Sequence, residues 1–196
     1  MAGPSASGKS TVAKHLANHL AKEGYSQTVV ALDNYYRDLS HLSEEQRARH
    51  NFDCPDAWEH ERILQDVLML KSGQPIEMPT YDFGTHSRSD ATQPIKTSDY
   101  IIFEGLFALC YEKLCDLADL KVYTTLEDST ALERRIQRDT VERGRTRDSV
   151  IEQFRSTVQP ANETYIRPSK AVADIIIPGD TPEAMQLDAI LRQLSI

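Results

Sequence analysis

The stretch MAGPSASGKST, residues Met1 to Thr11, decides how the rest of the chain is read. Gly3 to Ser10 fits the pattern G-x-x-x-x-G-K-[ST], a loop whose backbone N–H groups cradle phosphates. A flexible Gly/Ser leader ahead of a helix has a similar composition. The loop reading is favoured by the adjoining segment KSTVAKHLANHLAKEGY, where Val12, Leu16 and Leu20 recur at helical spacing and Gly24 stops the run. A loop of this kind is normally delivered by a buried strand in the middle of a parallel sheet, because ligands bind where strand order reverses. Only Met1 and Ala2 precede it here. The expectation is therefore that the numbering begins inside the first strand: either the natural chain is longer, or a short stub of strand carries the loop.

The 196 residues suit one domain, and 40% apolar content is enough to build a core. A net charge of −8 argues against a general nucleic-acid or anionic-membrane surface. No apolar run is long enough to span a membrane and no signal peptide is visible. The odd set Cys54, Cys110 and Cys115 shows no metal-ligand spacing and points to a reducing, cytoplasmic setting. Cys110 and Cys115 read as small core residues.

Strand-like runs at 28–33, 99–105, 120–126 and 173–179 alternate with helical patterns at 9–22, 56–72, 128–142, 147–158 and 183–194. This predicts an α/β fold, a parallel sheet flanked by helices in three layers. Between Gly73 and Thr97 the pattern breaks into a Pro-, Gly- and Thr-rich stretch that fits two β-rich segments around a turn.

Asp33 is the polar residue at the C-terminal end of the strand TVVALD, and Glu104 stands at the end of the strand DYIIFEG, followed by Gly105. Carboxylates at strand ends project into the crevice where ligands bind in such folds, and Glu104 stands where phosphate-loop enzymes keep an acid near Mg²⁺. Each taken alone is equally a cap or turn residue. Arg134, Arg135, Arg138, Arg143, Arg145 and Arg147 crowd one segment of an acidic chain, with Gly144 as a hinge. A solvated helix face is the alternative; the unevenness favours a mobile lid that closes on a transferring phosphate.

Seven ordered motifs (GPSASGKST, LDNYYRDLS, NFDCPDAWE, PTYDFGTHSR, IIFEGLFAL, RRIQRDTVERGR and ADIIIP) span residue 3 to about 178. In order and spacing the chain resembles the uridine–cytidine kinases of pyrimidine salvage. That resemblance implies a single P-loop kinase domain over 1–196, with a substrate-binding hairpin insertion at about 51–97 and an Arg-rich lid at about 134–148. The first strand is largely missing from it. The activity implied is transfer of the γ-phosphate of ATP, with GTP as a second candidate donor, to the 5′-hydroxyl of uridine or cytidine in the presence of Mg²⁺.

By motif position Gly3, Ser5, Ala6, Ser7, Gly8, Lys9, Ser10 and Thr11 hold the nucleotide. Ser10, Glu104 and Asp33 attend the metal. Asp33 is the base, and Lys9, Arg138 and Arg143 neutralise the transferring phosphate. Asp53, Arg135 and Gln153 fall near the sugar, and Tyr81, Phe83 and His86 near the pyrimidine. Arg145 belongs to the lid with Arg138 and Arg143 and is counted among the substrate-binding residues. Without the resemblance, Tyr81 and Phe83 read as core aromatics, His86 as a structural histidine and Asp53 as a turn residue. It further implies a homo-oligomer, a tetramer, acting on small-molecule nucleosides and nucleotides. Departures from the family pattern are the short start, GDTPEAM after ADIIIP on the adenine side, and Cys54 where His is common. A phosphoribulokinase-like sugar kinase and a catalytically weak nucleotide-binding module are the alternatives.

Overall fold

The computed structural model describes residues 1–48 and 50–194. Its centre is a parallel sheet assembled from two strand pairs. β1 (Gln27–Ala31) runs beside a later strand, Tyr100–Glu104, in register Gln27 to Tyr100 through Ala31 to Glu104. The second pair is Val122–Thr125 with Ile175–Pro178, Val122 opposite Ile175. The antiparallel hairpin β2 (Ile76–Asp82) and β3 (Ser87–Ile95) comes between β1 and the strand at Tyr100, so the remaining sheet strands are β4, β5 and β6 in chain order.

Met1 and Ala2 join the two pairs. On one side the Met1 amine donates to the Phe103 carbonyl at 2.6 Å, and the Gly105 N–H donates to the Met1 carbonyl at 3.1 Å. On the other, the Ala2 N–H donates to Val122 and the Thr124 N–H donates to Ala2, both at 2.9 Å. The resulting order is β1, β4, the Met1–Ala2 stub, β5, β6. Met1 and Ala2, directly ahead of the loop, hold the central position expected of the strand that delivers it.

Helices cover both faces. α1 (Lys9–Lys22) packs Val12, Leu16 and Leu20 against Ile102 of β4, Val122 of β5 and Ile177 of β6. Ile190, on the helix Glu183–Leu194, joins the same cluster. On the opposite face α3 (His60–Lys71) supplies Ile63, Val67 and Leu70 to a second cluster with Trp58 and Phe107. Ile101 and Phe103 of β4 turn to this side while Ile102 turns to α1, the two-residue alternation of a strand covered on both faces.

Helices at 9–22, 128–142 (α5, Asp128–Glu142) and 183–194 have the predicted bounds. The helix expected from residue 56 starts at His60, because Pro55–Ala57 forms a 3₁₀ turn and Trp58 is extended, bridged to Tyr36. The helix expected to stop at 158 continues to Val172. It passes through α6 (Arg147–Gln153), α7 (Gln159–Ala161) and α8 (Arg167–Ser169), with wider π turns at Phe154–Val158 and Asn162–Ile166 and a closing 3₁₀ turn. A proline inside a regular helix clashes with the carbonyl four residues back, and the widened turns around Pro160 and Pro168 relieve that clash. α2 (Glu44–Ala48) and α4 (Glu112–Leu117) had no sequence signal, and Glu183–Leu194 is accordingly α9. No described helix is long and apolar enough to cross a membrane. Cys54, Cys110 and Cys115 are free and half-buried, the last two packed on the rim of the core rather than inside it.

A cavity of about 550 Å³ lies against the stub, lined by Met1, Leu16, Leu20, Ile102, Val122 and Ile190 among others. Apolar residues extending the chain ahead of Met1 would run into this space between β4 and β5. Each apolar side chain buried there contributes about 1.5–3 kcal/mol. A chain extended by roughly four to six apolar residues is therefore expected to melt at least about 5 °C higher. Differential scanning calorimetry of the two chains checks this, and equal melting temperatures would count against it.

Candidate active site

The phosphate loop is fixed from below. Ser7 Oγ lies 2.6 Å from Thr124 Oγ1, and Gly3 presses so closely on β5 that a Cβ there would stand 2.4 Å from the Thr124 carbonyl. Gly3 has φ +148°, so glycine is required on both counts. α1 begins directly after the loop with no side-chain cap and no acid in its first turn, leaving its first N–H groups and its positive dipole end for an anion. Lys9 and Ser10 occupy that first turn.

Above the loop opens a cleft of about 910 Å³. It gathers Ser5, Lys9, Ser10, Asp33, Asp53, Tyr81, Phe83, His86, Glu104, Arg135, Arg138, Arg143, Arg145 and Gln153, residues spread across most of the sequence. Gly3, Ala6, Ser7, Gly8 and Thr11 do not line it. Gly3 and Ser7 are buried beneath the loop, and Thr11 faces solvent on α1. Of the six arginines between 134 and 147, Arg134 instead donates to the Gly179 carbonyl at 3.2 Å, beside the segment after β6. Arg147 opens α6 and is not among the lining residues.

Asp33 sits just past β1 on the 3₁₀ turn Leu32–Tyr35, two residues beyond Ala31, whereas the sequence pattern puts it at the end of the strand. Its Oδ1 is buried with no hydrogen-bond partner. Burial pushes its pKa above the ordinary carboxylate value and the charge of Glu104 adds to that, while Lys9, the Leu106 N–H and Arg143 oppose it. Glu104 is 7% exposed; its Oε1 accepts from Ser10 Oγ at 2.9 Å and its Oε2 is buried without a partner. Two orphaned carboxylate oxygens beside a serine hydroxyl are hard oxygen donors of the kind a divalent cation such as Mg²⁺ takes.

In the same cleft Asp53 accepts from Thr157 Oγ1 at 2.7 Å. Arg135 reaches Ser5 Oγ at 2.9 Å and Gln153 Oε1 at 2.8 Å, tying α5 to the loop and to α6. Arg145 also donates to Gln153 Oε1. The hairpin β2–β3 contributes an aromatic wall: Tyr81 packs on Phe83 with ring centroids 5.2 Å apart and on Tyr36 at 5.3 Å. His86, at φ +51°, stacks on Phe52 at 4.8 Å, and the Arg143 guanidinium lies 5.1 Å above Phe83. Burial pushes the His86 pKa below the usual imidazole value, helped by Arg145, Arg143 and Arg47 and opposed by Asp82.

Sequence reasoning missed Phe52, Asn34 and Thr157. Phe52 lies within NFDCPDAWE, but nothing local marks it as the stacking partner of His86. Asn34 accepts from the Tyr81 N–H at 3.2 Å, so it docks the hairpin onto the Asp33 turn. Thr157 lies one turn after Gln153, a spacing that could have flagged it as facing the same cleft.

A phosphate loop at the centre of a parallel sheet, an acid on the adjacent strand and an arginine-rich helix end define a P-loop kinase. The family model for the "Phosphoribulokinase / Uridine kinase family" matches residues 1–186, and this chain belongs to that family. The uridine kinase of Staphylococcus aureus (strain JH9) is 40% identical over 194 residues, 99% of this chain and 93% of the relative. Among solved structures, phosphoribulokinase from Rhodobacter spheroides superposes with TM-score 0.70 at 20% identity, covering 90% of this chain and 68% of that one. D-glycerate 3-kinase from Cryptococcus neoformans var. grubii superposes with TM-score 0.67 at 18% identity, covering 92% and 85%. At such identities the structural likeness speaks for the fold.

His86 offers a test of the aromatic wall without substrate. Its folded-state pKa is depressed, so the unfolded chain takes up the proton more readily, and stability is lost as pH falls through the ordinary imidazole value of 6.5. His86→Gln removes that proton uptake. The wild-type melting temperature is expected to fall relative to His86→Gln between pH 8 and pH 5, read by parallel thermal melts. A pH-independent difference would place His86 in solvent.

Proposed function

We propose that this protein is an ATP-dependent nucleoside kinase that phosphorylates the 5′-hydroxyl of uridine or cytidine. The observation that carries the reading is that Lys9, Asp33, Glu104, Asp53 and the aromatic side chains of Phe52, Tyr81, Phe83 and His86 line one cleft together. Phosphate-binding groups and flat aromatic side chains in one cleft, with polar groups suited to a sugar among them, match a nucleoside acceptor meeting a polyphosphate donor. The identity to a full-length uridine kinase points the same way. A sugar phosphate of the phosphoribulokinase kind has no use for the aromatic wall, and comparing uridine with ribulose 5-phosphate in an ADP-release assay separates the two readings.

In this reading the loop and the first turn of α1 hold the ATP phosphates, with Lys9 against the β- and γ-oxygens. Ser10, Glu104 and Asp33 would hold Mg²⁺, which would neutralise charge on the phosphate oxygens. Asp53, with Arg135 and Gln153, orients the ribose, and the pyrimidine lies along Tyr81, Phe83 and His86. Asp33 accepts the 5′-hydroxyl proton as the oxygen bonds to the γ-phosphorus; the bond to the β,γ-bridging oxygen breaks and its electron pair leaves with ADP. Arg138, Arg143 and Arg145 spread over the transferring group and exclude water. The same reading includes a cytoplasmic homo-oligomer, tetrameric by family resemblance, and ATP rather than GTP as the first donor to test.

Asp33→Asn keeps the shape and removes the charge and basicity. General-base effects are worth about 10²–10⁴ in rate, so kcat is expected to fall at least about a hundredfold with uridine still bound. Steady-state kinetics at saturating Mg²⁺ with calorimetric uridine binding check this; a variant keeping a tenth of wild-type kcat would remove Asp33 as the base.

His86→Ala deletes a hydrogen bond to the base and a stacking surface. An unmet bond of this kind costs about 1–3 kcal/mol, so kcat/KM for uridine is expected to fall roughly tenfold to a hundredfold while ATP affinity stays level. Loss of ATP binding with unchanged uridine kinetics would reverse the assignment of this wall.

A further inference from the structure

Asp139 is the one acid in the arginine-rich segment that is fully buried, at 0% exposure. It sits on α5 beneath the lid, outside the cleft lining, and four guanidinium groups converge on its carboxylate. Arg138 Nε lies 2.8 Å from Oδ1, Arg143 Nη1 3.5 Å from Oδ1, Arg135 Nε 3.5 Å from Oδ2 and Arg145 Nη1 3.8 Å from Oδ2. All four of these arginines line the cleft. Its backbone also reaches across the lid turn: the Arg145 N–H donates to the Asp139 carbonyl at 3.1 Å, spanning Gly144 at φ +63°. One residue therefore holds arginines from both ends of the lid turn, Arg135 and Arg138 within the helix and Arg143 and Arg145 flanking Gly144.

Four positive charges around one negative charge leave a strong net excess. Without Asp139 the guanidinium groups would repel one another, and the turn at Gly144 would give them room to separate. With it, they stay fanned over the cleft before any phosphate arrives. The bonds to Asp139 are mostly long, and its Oδ2 and Arg135 Nε each lack a hydrogen bond of good geometry. The pairing is thus loose enough for the arginines to exchange a contact with Asp139 for one with a phosphate.

We propose that Asp139 is the positioning residue of the arginine lid, a buried counter-charge that pre-aims Arg138, Arg143 and Arg145 at the transferring phosphate without touching substrate. The proposal rests on the kinase reading above and deepens it. Its energetic consequence is a split between ground state and transition state. Removing the negative charge makes the cleft more positive, so the polyphosphate of ATP is held at least as tightly. The arginines lose their alignment, and alignment acts where charge develops in the transition state.

The test is Asp139→Asn, isosteric and uncharged, with Asp139→Glu as the charge-retaining comparison. Calorimetric ATP affinity is expected to be unchanged or tighter, while kcat per folded molecule falls at least about tenfold. Asp139→Glu is expected to recover part of that loss. A double-mutant cycle supplies the readout a merely structural role would not move: Arg143→Ala should cost less rate in the Asp139→Asn background than in wild type, because an unaligned Arg143 has less to lose. Additive effects, kcat within threefold of wild type, or parallel loss of ATP affinity and rate would each overturn the proposal. If Asp139→Asn does not fold, the cycle is run with Asp139→Glu, where additivity overturns it equally. Absence of uridine turnover by the wild-type protein would sink the acceptor assignment instead, and the ATP-affinity comparison still reads Asp139.

Discussion

The hydrogen bonds that Met1 and Ala2 make to β4 and β5 carry a disproportionate share of this structure. They turn two strand pairs into one sheet, and they hold the first atoms of the phosphate loop at its centre. Everything chemical is placed relative to that seam. Glu104 ends β4 on one side of it, Thr124 of β5 braces Ser7 on the other, and α1 leaves the loop with its N-terminus aimed upward. Four backbone hydrogen bonds are a slender tie, each worth about 0.5–1.5 kcal/mol net. The buried contacts of Gly3 and Ser7 with Thr124 reinforce it.

Charge is the second organising constraint. The chain as a whole is acidic, at −8, yet Lys9 and four arginines face one cleft. Such a concentration is tolerable only where carboxylates are interleaved, and each carboxylate has a distinct environment. Asp33 is desolvated, and burial raises its pKa above the ordinary carboxylate value. Asp139 is held below the usual carboxylate range: burial works against it, but the hydrogen bond and charge of Arg138, with Arg135 and Arg143, outweigh burial. Glu104 shares one oxygen with Ser10 and keeps the other bare. Three acids in one small region are thereby separated by environment rather than by residue type.

The fold was legible because its signals are local. The G-x-x-x-x-G-K-S pattern with a helix behind it, the apolar strand runs and the broken stretch at 73–97 each report on a few neighbouring residues, and the described elements fall on them. Misjudged bounds trace to contacts the sequence cannot display. Trp58 is pulled out of the expected helix by its bridge to Tyr36, and the helix through Pro160 survives by widening its turns.

Asp53, Tyr81, Phe83 and His86 were marked only through the family resemblance, whereas residue types and motif spacing by themselves determined the α/β class, the central position of the strand ahead of the loop, and the residues around the phosphates. They marked Lys9, Asp33, Glu104 and the arginine cluster because those residues stand at strand ends, a helix start and a hinge, positions that periodicity alone can locate. Only the tertiary structure decided which of them share a cleft. It sent Arg134 to Gly179 while turning Arg135, Arg138, Arg143 and Arg145 inward, stacked His86 on Phe52 across 34 positions of sequence, and set Thr157 against Asp53. It also made Asp139, unremarkable among the acids of the chain, the common partner of four arginines. The physical reason is that burial and charge pairing are properties of three-dimensional neighbours, and neighbours that lie far apart in sequence leave no periodic trace along it.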